Sequence, residues 1–177
     1  MSFLSDLSDF WWHIRLPRAH RSRIRAARLA LDRLRPVACQ NTPDAARELF
    51  YELRRLDPLV FEEFVLQCLA DGGCRIRRNR RYSGDGGIDG RVFHGGRWCP
   101  VQCKRYADSI NPRHVEDFTV ILNRHRAPAG WFIHTGRTGP RSAALAAEFG
   151  NRVRFISGDK LRRLVAGEFN KRESQHA

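Results

Sequence analysis

Two glycines, Gly95 and Gly96, stand between two runs of strand character, Ile88 to Phe93 and Trp98 to Lys104, and they constrain the fold more than any other feature of the chain. A two-residue loop of this kind needs positive φ at both positions, which glycine adopts at no steric cost, so the runs are expected to pair as a tight antiparallel hairpin. The turn fixes the register: His94 faces Arg97, and Asp89 faces Gln102. Facing residues carry Cβ atoms about 4.5–5.5 Å apart, and Lys104, two positions beyond Gln102, projects from the same face. Val101 and Cys103 point the other way and suit burial. A carboxylate, an amide and an ammonium therefore meet on a hairpin that is otherwise apolar.

The segments around the hairpin read as alternating elements. Thr42-Pro43 has the form of a helix start, and Ala46, Leu49, Phe50 and Leu53 supply the buried stripe of a helix reaching about Leu56. Asp57-Pro58 opens another, with Phe61, Phe64, Val65, Cys68 and Leu69 at helical spacing and Gly72-Gly73 as its stop. At about 100° per residue this stripe leaves Glu62 at the buried edge and Glu63 nearly opposite, where solvent is expected. An extended stretch from Arg75 to Arg78 and a glycine-rich loop from Tyr82 to Gly87 lead into the hairpin. Beyond it a helix is expected from Pro112 to about Arg126, a strand from Gly130 to Thr135, a helix from Pro140 to Phe149, a strand from Val153 to Ile156 and a helix from Asp159 to Val165. Such alternation implies an α/β domain whose later strands are parallel and covered on both faces.

Residues 1–41 differ in character. Phe3, Leu4, Leu7, Trp11 and Ile14 recur at helical spacing, arginines follow from Arg15 to Arg35, and Ile24, Ala27, Leu31 and Leu34 mark a second stripe that Pro36 is expected to end. We divide the chain into this basic amphipathic extension, a domain over 42–170 with its core at 57–165, and a tail at 171–177.

Lys and Arg number 32 against 19 Asp and Glu, a formal net charge of +13. Polyanions are the expected partners, although attraction and counterion release say nothing of what is done to them. The 42% of hydrophobic residues is enough for a core and unlike the composition of a disordered chain. Five cysteines without a C-x-x-C pair argue against a disulfide framework and a zinc ribbon, and fit a reducing, cytoplasmic setting. No run approaches the roughly 20 apolar residues of a membrane span, and the start lacks the order of a signal peptide, so a soluble, unexported protein is expected. The loop at Gly84 to Gly87 is not a nucleotide-binding loop, since no Lys-Ser/Thr follows it.

The polar atoms of the hairpin suit a hard divalent cation. Mg²⁺ takes oxygen ligands, commonly one or two carboxylates with water and substrate phosphate, so Asp89 and Gln102 could hold it, with Glu62 as a third oxygen donor from the helix. Lys104 could orient or activate an attacking water. Taken singly, Asp89 has an ordinary explanation as a turn residue and Lys104 as an edge-strand charge. Four such residues converging on one place do not.

These residues form a pattern. Phe61-Glu62 on a helix, Ser83-Gly84-Asp85-Gly86-Gly87-Ile88-Asp89-Gly90, and Val101-Gln102-Cys103-Lys104-Arg105-Tyr106 together resemble the Mrr-like restriction endonuclease family, a branch of the PD-(D/E)XK nuclease superfamily in which glutamine often replaces the first residue of the E-x-K pair. Trp131 to Gly136 and Ile156 to Leu161 are similar to the family's later strand ends, so the likeness spans roughly residues 57–165. The resemblance implies an α/β/α sandwich around a mixed sheet and hydrolysis of DNA phosphodiester bonds, often in restriction of foreign or modified DNA. It implies Mg²⁺, with Mn²⁺ as a substitute, held by Asp89, Gln102 and Glu62, with Lys104 assisting the nucleophile and Asp85, Gly86 and Gly87 in a supporting loop. Double-stranded DNA is the expected partner, contacted by Arg77, Arg78, Arg80, Arg81 and Arg105, and two-strand cutting suggests a homodimer. Two alternatives stand beside this reading: a DNA-binding module of the same fold without turnover, and a membrane-surface or interaction protein acting through the N-terminal helix.

Overall fold

The computed structural model describes residues 17–79 and 87–168. The stripe from Phe3 to Ile14, the loop residues Arg80, Arg81, Asp85 and Gly86, and the tail at 171–177 lie outside the described residues.

Helix after helix starts the same way. A long first helix, α1 (Arg18–Cys39), is followed by α2 (Pro43–Arg55) and α3 (Pro58–Asp71). Both later helices place proline in the first turn, where its missing N–H costs nothing. The Thr42 hydroxyl accepts from the Ala45 amide at 3.2 Å, and the Asp57 carboxylate accepts from the Leu59 and Val60 amides at 2.9 and 3.2 Å. Strand β1 (Ile76–Arg78) follows, then β2 (Gly90–His94) and β3 (Arg97–Lys104). The second half alternates: α4 (Pro112–Arg124), capped by Asn111, then β4 (Gly130–His134), α5 (Pro140–Glu148), β5 (Val153–Ile156) and α6 (Gly158–Ala166).

The strands form one mixed sheet in the order β1-β2-β3-β4-β5. The first two pairings are antiparallel and the last two parallel, so β3 is the strand at which the sheet changes character. Gly95 and Gly96 take positive φ, 56° and 77°, and the hairpin register is the expected one, with His94 on Arg97 and Gly90 on Val101. The crossover helices α4 and α5 pack on one face, over Phe132 and Val153. Helices α1, α3 and α6 pack on the other, over Val92, Val101, Cys103, Trp131, Ile133 and Ile156. The architecture is the α/β/α sandwich expected from the sequence.

Two expectations fail. Helix α1 passes through Pro36 and ends at Cys39. An interior proline costs about 3 kcal/mol, but Pro36 and Asp32, whose carbonyl loses its bond, face solvent, while Leu34 and Ala38 on either side are each 1% exposed in the core. The Ala38 carbonyl is further held by the Arg162 guanidinium of α6 at 2.8 Å. Glu63 does not point to solvent: it is 3% exposed, because α1 covers the side of α3 that faces away from the sheet. No described helix is long and apolar enough to cross a membrane.

Candidate active site

Asp89 precedes β2 by one residue and is locked to β3 from both ends. Its amide donates to the Val101 carbonyl at 2.9 Å, and one carboxylate oxygen accepts from the Cys103 amide at 2.6 Å. The backbone of β3 thus sets the carboxylate beside the strand that carries Gln102 and Lys104. Burial raises the Asp89 pKa to about 6, against the opposing effects of the Cys103 amide and the Lys104 ammonium.

Gln102 is 6% exposed and pins the approach to the hairpin. Its amide nitrogen donates to the Gly87 carbonyl at 2.7 Å. A carbonyl can only accept, so this bond identifies the nitrogen and leaves the side-chain oxygen, Oε1, as the acceptor of the pair. That oxygen is buried and has no hydrogen-bond partner among the described residues. Gly87 itself has φ 86°, and a Cβ there would sit 3.0 Å from the Ile121 side chain and 3.3 Å from the Gln102 amide. Only glycine lets the loop come this close.

Helix α3 contributes two adjacent carboxylates with separate duties. Glu62 is half-buried, and its pKa is raised to about 8, first by burial and then by the charges of Asp89, Glu63 and Asp57, with Lys104 opposing. Asp89 and Lys104 therefore act on Glu62 directly through space. Glu63 instead closes a buried polar junction: one oxygen meets His20 Nε2 of α1 at 2.8 Å, and the other accepts from Arg78 Nε of β1 at 2.8 Å. Arg78 also donates to Gln67 at 3.0 Å. The junction joins α1, α3 and β1 just where the chain leaves for the glycine-rich loop. Sequence reading missed His20, which had no motif to mark it.

Lys104 ends β3, half-buried, and its carbonyl accepts from the Thr135 amide at 3.3 Å. The Thr135 hydroxyl accepts from the Tyr106 amide at 2.9 Å and donates to the Tyr106 carbonyl at 3.0 Å, so the chain after Lys104 is fastened to the end of β4. The Tyr106 hydroxyl meets His114 at the start of α4.

The arginines expected on DNA divide. Arg77 is exposed on β1. Arg78 turns inward to Glu63 and Gln67, because alternation along β1 aims it at α3. Arg105 donates to the Arg54 carbonyl at the end of α2 at 2.7 Å, which ties it to the frame.

The donor set suits a hard cation. Two carboxylates lie in a poorly solvated place with raised pKa values, and Gln102, opposite Asp89 in the hairpin register, keeps a buried amide oxygen that lacks a donor among the described residues. Among the described residues no three Asp, Glu, His or Cys side chains cluster closely enough to hold an ion by themselves. An ion here would use the Gln102 oxygen and water as well, which is ordinary for Mg²⁺.

A sandwich with carboxylates, an amide and a lysine at the end of its central hairpin belongs to the nuclease class. The Mrr_cat model, described as restriction endonuclease, matches residues 53–165, more than half of the chain, and the chain belongs to this family. Among solved structures it is similar to the MspJI restriction endonuclease in complex with a 27-mer oligonucleotide, with a TM-score of 0.52 and 22% identity over 74% of this chain. The match spans 32% of that chain, about a third of its length, and at this identity it speaks to the fold. A search of curated proteins finds no match.

Proposed function

We propose that this chain is a Mg²⁺-dependent endonuclease that hydrolyses phosphodiester bonds of double-stranded DNA, in a restriction role against foreign or modified DNA. The observation that carries the reading is the Gln102 oxygen, buried and without a hydrogen-bond partner among the described residues, on the strand whose backbone also holds the Asp89 carboxylate, an arrangement that is costly unless a cation or its water completes it. Asp89, Gln102 and Glu62 would hold the metal, with Mn²⁺ as a substitute. A bound divalent ion would lower the pKa of a water and offset charge on the phosphoryl oxygens. Asp89 is oriented for this by the Cys103 amide, and Gln102 by its bond to Gly87, so neither must reorganise as charge develops. Lys104 supplies a fixed positive charge next to both carboxylates and orients the attacking water. The surrounding arginines hold the polyanion. Cytoplasmic residence and a homodimer with one site per strand fit this role, with the domain at 42–170 as the catalytic unit.

The test is plasmid cleavage on methylated and unmethylated DNA, with Mg²⁺ or with EDTA, by the wild type and by Asp89→Ala and Lys104→Ala. Magnesium-dependent nicking or linearisation, reduced at least about 100-fold by either substitution, is expected. DNA binding without cutting of either substrate would favour a module that binds and does not turn over.

A further inference from the structure

The outer face of the hairpin carries a group of side chains that neither core uses. Phe93 and Trp98 are cross-strand partners whose rings meet edge to face, centroids 5.3 Å apart, and both are half-buried without joining either hydrophobic core. Arginines do what burial they have. The Arg75 guanidinium lies 4.5 Å from the Phe93 ring centre, and that of Arg77 lies 4.7 Å from the Trp98 ring centre. Alternation explains the placement: Ile76 and Arg78 face α3, so Arg75 and Arg77 face the other way, onto the aromatic pair.

Arg91 adds a third charge, directly opposite Arg77 in the β1–β2 ladder. Like charges facing each other across strands are destabilising. None of Arg75, Arg77 and Arg91 takes part in an ion pair among the described residues. Three guanidinium groups without a carboxylate partner among the described residues share one sheet face, and an anion from outside the chain would offset their mutual repulsion. Two of them are seated over rings, which reduces the freedom they would lose on binding.

The face lies on the same side of β3 as the candidate active site, with the buried Pro100 and Gln102 between the two. Trp98, Pro100, Gln102 and Lys104 alternate along one side of β3, so at about 3.3 Å per residue Trp98 lies roughly 13 Å from Gln102 and roughly 20 Å from Lys104. A duplex rises about 3.4 Å per base pair, so the arginines would meet phosphates about four to six base pairs from a bond held between Gln102 and Lys104.

We propose that Arg75, Arg77 and Arg91, mounted on Phe93 and Trp98, form a second DNA-binding surface that grips the phosphate backbone of the duplex flanking the cut. This rests on the DNA reading given above and adds to it a surface separate from the chemistry. Stacked guanidinium forks match phosphate oxygens and read no base edges, so the grip is sequence-independent.

The experiment compares the wild type, Arg75→Ala/Arg77→Ala, and a control, Arg25→Ala/Arg28→Ala, which removes the same charge from exposed positions on α1, on the opposite face of the sheet. Binding of a labelled mixed-sequence duplex is followed by anisotropy across a salt series in EDTA, and cleavage is followed with Mg²⁺. The platform variant is expected to bind roughly tenfold more weakly at low salt, with the slope of log K against log salt smaller by about 0.9 for each phosphate that it no longer neutralises. It should raise KM and leave kcat near that of the wild type. Arg75→Lys/Arg77→Lys, which keeps charge but loses the stacked fork, should fall between them. Unchanged binding by the platform variant overturns the proposal, as does an equal loss in the α1 control, which would assign the effect to net charge. If the wild type binds but never cuts, and the platform variant still loses affinity and slope, the second surface stands and the catalytic reading fails.

Discussion

At the level of single residues, the site holds its carboxylates in a state they resist. Glu62 has a pKa near 4.5 when free and about 8 in the fold. An acid raised on folding lends stability below its unfolded value and loses it as the pH rises through the folded one. In EDTA, the wild type should therefore lose stability between about pH 4.5 and 8, and Glu62→Gln should lose less, keeping only the part that Asp89, raised from 3.8 to about 6, contributes. The gap between their urea midpoints should widen with pH, and Mg²⁺ should narrow it by favouring the ionised wild type. A gap that stays level across the range would show that Glu62 is not strained in the fold. The price of a ready site is thus a weaker fold, a trade common where charges are arranged for chemistry. The placement of Asp89, Gln102 and Lys104 on the hairpin was legible because a glycine turn fixed their register. Glu63 was not, because one apolar stripe was taken to mean one buried face. The signal was present: Leu59, Val60 and Leu66 lie off that stripe, and a helix apolar on most sides is covered on most sides.

The elements show where packing has left no slack. Helix α4 crosses β4 at Gly130, where a Cβ would lie 2.5 Å from a Leu122 methyl and 2.7 Å from the Phe118 ring. Gly130→Ala should cost about 1–3 kcal/mol by forcing the helix off the sheet, seen as a lower urea midpoint with an unchanged slope; a midpoint within error of the wild type would mean that the helix moves freely. The order of helices and strands could be read from proline starts and glycine stops, and the boundaries were off by a residue or two where ends are set by tertiary contacts. Helix α4 stops at Arg124 because Arg126 takes positive φ, 48°, a choice that the run of polar residues there does not announce. Strand β2 begins at Gly90, since Asp89 turns its side chain onto the neighbouring backbone.

For the molecule as a whole, the first helix is part of the body. Ala27, Leu31 and Leu34 share a core with the sheet, Arg35 donates to the Val165 carbonyl at 3.1 Å and to Asp71 at 2.6 Å, and His20 reaches the Glu63 junction. Removing residues 1–41 should abolish the cooperative urea transition even though the family match begins at residue 53; a truncated protein that still unfolds sharply would make α1 an appendage. The stripe of Ile24, Ala27, Leu31 and Leu34 was legible in the sequence, but not the surface it packs on, since periodicity marks a buried face without naming its partner. The hairpin has one further property. Gly95 and Gly96 are exposed, and nothing lies within 4 Å of where a side chain would start at either. The residues of interest for chemistry sit at the far end of the same two strands. Loops with free surroundings accept added chain at small entropic cost, so the tip is a natural splice point: a peptide or small domain inserted there would ride on a stiff two-stranded arm already aligned with the catalytic end, and could give the enzyme a new address without touching its core.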